Sequence, residues 1–89
     1  MHITDTPYIS VGFEKKTVTV LTRIDLKGKN AIIHNTGANI LYFCSGDLVA
    51  TADSPELAVG EKTSIRTGKL SLLSAGTSVL KIEYVEQVG

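Results

Sequence analysis

The chain has 89 residues, room for one small domain and not two. Nine basic and nine acidic side chains cancel, which argues against a nucleic-acid binder that releases counterions from a basic face. With 43% hydrophobic residues the chain is no disordered tail, and no apolar run approaches the ~18 residues that span a bilayer. The start, with His2, Thr4, Asp5 and Pro7 after Met1, lacks a basic-then-apolar pattern, so no signal peptide is expected. Cys44 stands alone, which rules out an internal disulfide and a thiolate zinc site and fits synthesis in a reducing compartment.

Eight Val, eight Ile and ten Thr weight the chain towards strands, because β-branched side chains suit a pleated, half-buried surface. In chain order, residues 1–7 are expected as a terminal arm and residues 8–89 as a single β domain. Tyr8 to Phe13 is a short candidate strand. Lys16 to Ile24 is a second, with Val18 and Val20 on one face and Thr17 and Thr19 on the other, the period-two pattern of a half-buried strand. Asp25 to Lys29 turns into a strand at Ala31 to His34, stopped by Asn35-Thr36-Gly37, where Gly37 is expected to take a left-handed turn. Asn39 to Ser45 follows, with Ile40, Tyr42 and Cys44 on one face and Leu41 and Phe43 on the other. Apolar residues on both faces predict a strand buried between layers or one that also meets a partner.

After Ser45-Gly46-Asp47, Leu48 to Ala52 is expected as a short strand, and Asp53-Ser54-Pro55 as a turn. A helix beginning at Ser54-Pro55 would end within one turn, at Gly60. Thr63 to Arg66 and Leu70 to Ser74 are strands joined by Thr67-Gly68-Lys69, which has hairpin chemistry with Gly free to take positive φ. Thr77 to Val85 is the last strand, with Leu80, Ile82 and Tyr84 opposite Lys81 and Glu83. Seven or eight short strands at this spacing predict an all-β fold, a small antiparallel β-sandwich or jelly-roll-like barrel.

No residue pattern specifies chemistry. Asp47, Asp53, Glu56 and Glu61 lie in turn-like sequence without the spacing of a calcium loop, and read as solvated acids rather than a hydrolase pair. His34 has no evident nucleophile or orienting acid, and Cys44 sits in an apolar strand as a small hydrophobe. The glycines are isolated, one per turn, and build no phosphate loop. Lys15-Lys16, Lys27 and Lys29 are nearly offset by Glu14 and Asp25, and the aromatics are spaced as core pieces rather than as a stacking platform. Catalytic residues, cofactors and metals are therefore all assigned as none.

One stretch is more distinctive. His34-Asn35-Thr36-Gly37-Ala38-Asn39-Ile40-Leu41-Tyr42-Phe43 is followed by Leu57-Ala58-Val59-Gly60-Glu61-Lys62-Thr63-Ser64-Ile65 and then by Leu70 to Ile82, which includes Ala75-Gly76-Thr77. This order resembles small accessory structural proteins of tailed bacteriophages, of β-sandwich or jelly-roll type, over roughly Ile32 to Tyr84. The resemblance implies a non-enzymatic virion protein, a head decoration or cement protein made in the host cytoplasm. Its implied partners are the major capsid protein or another virion protein, and copies of itself, without nucleic acid or membrane. Under it, Leu41, Phe43 and Tyr8 are the expected contact residues. Two other classes stand beside it. A small tail, neck or fibre-associated domain that binds a host-surface glycan or another virion protein would expose an aromatic, Tyr8 or Tyr42, beside Asn or Asp. A cupin-like enzyme would need a cluster of histidines, and only His2 and His34 exist.

Overall fold

A computed structural model describes residues 8–87, which form eight strands and no helix. They are β1 (Tyr8–Val18), β2 (Thr22–Asp25), β3 (Asn30–Asn35), β4 (Leu41–Ser45), β5 (Glu56–Leu57), β6 (Lys62–Arg66), β7 (Lys69–Ser74) and β8 (Ser78–Gln87). The expected arm at residues 1–7 lies outside the described residues. The strands make two antiparallel four-stranded sheets, ordered β1-β8-β3-β6 and β2-β7-β4-β5. Each of the last two strands is inserted between two earlier ones, the double Greek-key order of a jelly roll. The architecture is thus a sandwich of two open sheets, with β1, β6, β2 and β5 as edges.

Alternation decides which side chains meet between the sheets. Ile33 on β3, Leu80 and Ile82 on β8, Leu70 and Leu72 on β7, and Leu41 on β4 are all fully buried in one core cluster. Burying such a side chain contributes roughly 1.5–3 kcal/mol. The strand ladder keeps every second residue on this side, so one face of each strand supplies the core and the other faces out. Leu80, Ile82 and Tyr84 point inward and Lys81 outward, in agreement with the alternation of the sequence.

Three local expectations differ from the structure, each where the chain changes sheet or folds back. β1 runs on through Lys16 to Val18, and residues 19–21 bend across to β2 in the other sheet. Val18 is therefore in the core while Val20 is exposed, because a crossover leaves the ladder and its alternation lapses. Thr67-Gly68 is no hairpin, since β6 and β7 belong to different sheets; the Gly68 carbonyl instead accepts from the backbone N–H of Leu26 at 2.7 Å. Leu48 to Ala52 forms no strand. That segment folds over the outer side of the second sheet, where Ala50 N–H donates to Ser71 Oγ at 2.9 Å and Arg23 donates to the Leu48 carbonyl at 3.4 Å. Of the residues between Ser45 and Lys62, Glu56–Leu57 are the two that pair with β4 in the ladder.

Candidate functional site

The most distinctive motif in the sequence folds into a structural joint. The ends of β3, β5 and β7 and the starts of β4, β6 and β8 meet at one pole, where the chain crosses between sheets three times. Asn35 lies fully buried at the centre. Its amide nitrogen donates to the carbonyls of Asn39 (2.8 Å) and Leu57 (2.9 Å), and its side-chain oxygen accepts from Gly37 N–H (3.1 Å) and Ser78 Oγ (2.8 Å). One side chain thus ties together all three crossovers, with its hydrogen-bonding capacity filled. Asn39 adds a bond from its amide to the Thr77 carbonyl at 2.7 Å. Glu61 caps the neighbouring turn by accepting from Ala58 N–H at 2.8 Å.

Gly37 does not take the expected left-handed turn; positive φ falls at Gly28, Gly46, Gly60 and Lys27. Its requirement is space. A Cβ at Gly37 would lie 2.2 Å from Ser78 Oγ and 2.3 Å from Val79 N, so β8 could not begin where it does. The N-T-G-x-N, G-E and A-G-T elements thus lie at these crossovers, and Ser78 completes the joint.

The sequence-expected contact residues separate. Leu41 is fully buried in the core, and Phe43 packs against the same cluster, so both face the opposite sheet rather than a partner. The apolar residues on both faces of β4 have another account: Tyr42 and Cys44 point outward and are half-buried. Tyr8 opens β1 and is 57% exposed. Along the same edge, which no second described strand pairs, Ile9, Val11 and Phe13 are exposed, Phe13 at 63%. A register shift between Ser10 and Gly12 marks a bulge in this segment.

The outer face of the β1-β8-β3-β6 sheet carries what the sequence hides. Register places Lys15 opposite Lys81, Lys81 opposite His34, and His34 opposite Lys62, a basic row across all four strands. The next row is Phe13, Glu83, Ile32 and Ser64. Arg66, opposite Asn30, extends the cationic border. Tyr8, Asn30, Ile32, Ser64, Arg66 and Val85 line a hollow of about 340 Å³ on this side. Among the residues assigned to this face, Lys15, Lys62, Lys81 and Arg66 outnumber the single carboxylate Glu83, which accepts a hydrogen bond from Ser10. The cancellation of charge over the whole chain thus conceals a segregation.

Other titratable groups are locally occupied. The Tyr84 hydroxyl donates to Glu14 Oε1 at 2.5 Å, and Lys16 lies 3.5 Å from Glu14. Burial, then the Glu14 hydrogen bond, push Tyr84 up to about 12. The Tyr84 bond, against partial burial and aided by Lys16, holds Glu14 below its ordinary value. Lys29 sits 5.8 Å from the centre of the Tyr84 ring. His34 and Cys44 lie on the outer sides of different sheets and make no pair. Among the described residues, no group of three His, Cys, Asp or Glu is arranged to hold a metal ion.

In comparisons with known proteins, no family model, no curated protein and no solved structure matches this chain.

Proposed function

We propose that this chain is a non-enzymatic structural protein of a bacteriophage virion, a decoration protein that binds and stabilises an assembled head. The observation that carries this reading is the run of exposed apolar side chains on the free edge of β1, Tyr8, Ile9, Val11 and Phe13. An unpaired strand edge with apolar side chains invites a partner, and covering each large side chain contributes about 1.5–3 kcal/mol. The resemblance over Ile32 to Tyr84 and the jelly-roll strand order are in keeping with a binding role; the apolar edge supplies the surface for it. Tyr8 remains a contact residue in this reading, with Phe13 taking the place given to Phe43.

Quantitative mass spectrometry of purified phage particles tests the proposal. Hundreds of copies per particle are expected of a head coat, and absence from the particle overturns the virion reading. Ile9→Ser and Phe13→Ser should lower the copy number while leaving the melting temperature of the isolated protein nearly unchanged. The glycan-binding alternative rests on Tyr8 beside Asn30 and Arg66 in the hollow, and a glycan array without hits removes it.

A further inference from the structure

The two broad sides of the sandwich complement each other. The outer side of the β1-β8-β3-β6 sheet has a hollow with Tyr8, Ile32 and Val85 in its wall, bordered by Arg66, with Lys62 and Lys81 on the same face. On the opposite side, the segment between β4 and β5 lies over the second sheet, held by Ser71 and Arg23. It presents Leu48, 68% exposed, and Val49 as an apolar knob. Exposed Asp47 and Asp53 flank that knob, and Glu56 follows at β5. Arg23 is the nearby cation, and Lys69 lies opposite Asp25 on the adjoining strands.

We propose that the occupant of the basic face is a second copy of this chain, whose 46–56 segment seats Leu48 and Val49 in the hollow and brings Asp47 and Asp53 to Lys62, Lys81 and Arg66. Apolar matter meets apolar matter and the flanking charges are opposite, the arrangement that fixes register and speeds encounter. A stable contact takes about 800 Å² from each partner. A molecule measuring 44 × 26 × 22 Å has room for this on either broad side. Because knob and hollow lie on opposite sides, the contact is heterologous, and repetition gives a ring or an open stack rather than a two-fold dimer. The inference goes beyond the proposed function by adding a contact between copies and does not depend on the capsid, so copy number and self-association test the two separately.

Sedimentation analysis of the full chain is the experiment. Mass should rise above monomer with concentration, with an association constant that falls about tenfold from roughly 0.05 M to roughly 0.5 M salt. Two exposed-surface variants then isolate the contact: Lys62→Glu with Lys81→Glu, and Asp47→Lys with Asp53→Lys. Each should be monomeric by itself, because like charges then face each other. An equimolar mixture should associate again, because the reversed faces complement one another, and circular dichroism should show both variants folded. Leu48→Ser should weaken association at both salt concentrations. A wild type that stays monomeric to roughly millimolar concentration overturns the proposal. So does a mixture that stays monomeric, or an association that the reversals leave intact. A monomeric wild type that retains heparin or an oligonucleotide also overturns it and assigns the basic face to a polyanion.

Discussion

Asn35 has more consequence for this fold than its size suggests. Replacing it by Ala leaves the Leu57 carbonyl, the Gly37 N–H and Ser78 Oγ without its bonds in a buried joint, and should cost at least about 2 kcal/mol in chemical denaturation. Asn35→Asp should be worse at neutral pH, because a carboxylate would face two carbonyl oxygens that now accept from the amide. Burial would raise that carboxyl's pKa, so the deficit relative to wild type should shrink as pH falls. Equal denaturation midpoints for wild type and both variants would remove the joint's importance. Tyr84 gives a second test. An isolated tyrosine loses its proton near pH 10.0, and Tyr84 keeps its own to about 12. Its contribution is full below pH 10.0 and lost as pH rises through the folded value, since only the unfolded chain gives up the proton in between. Glu14 works the other way: its contribution is present above 4.5 and lost as pH falls through its lowered value. The stability difference between wild type and Tyr84→Phe should therefore be level between these limits and shrink beyond both. At this scale the sequence marked Asn35, Gly37 and Gly60 as special but misassigned Gly37, because a close approach by β8, 41 residues downstream at Ser78, leaves no local trace.

Elements were legible where a strand stays in one sheet with one buried side. β8 announced its faces, since Leu80, Ile82 and Tyr84 alternate with Lys81 and Glu83; β4 did not, because apolar residues on both sides let Leu41 and Phe43 read as contact residues when they face the core. The segment from Lys16 to Ile24 read as one strand because Thr17 to Val20 alternates cleanly and the apolar and β-branched residues run on across a change of sheet. Leu48 to Ala52 misled for a related reason: its apolar residues cover the outside of a sheet instead of joining its ladder. β1 shows how its edge is managed. Its second half carries Lys15 and Lys16, which discourage edge-to-edge pairing, while the first half has only the bulge near Val11. Lys15→Val should therefore increase aggregation on concentration, seen as light scattering, with little change in melting temperature. A variant as soluble as wild type would show that the bulge suffices.

For the whole molecule, composition was the least informative guide to surface. Nine cations against nine anions gave no hint of a basic side, because Lys15, Lys81, His34 and Lys62 come from four strands aligned only by register. Register is set by pairings such as Lys15 with Lys81, far apart in the chain, and periodicity carries no information about them. The class of fold was legible from strand spacing and β-branched content. The strand order was not, because several arrangements bury the same inward residues.

That order has a consequence for how the protein is made. β8 is the strand between β1 and β3, and β7 is the strand between β2 and β4. A ribosome emitting this chain releases six strands before β7 and β8, and until then β1 and β2 have no strand neighbour in their sheets. The nascent chain through residue 68 is thus an open receptor for its own final segment. Fragments 1–68 and 69–89, expressed separately, should each lack stable structure and yet form the native sheets when mixed, read as recovered β-strand circular dichroism. A first fragment that folds alone would show that the sandwich closes by another route.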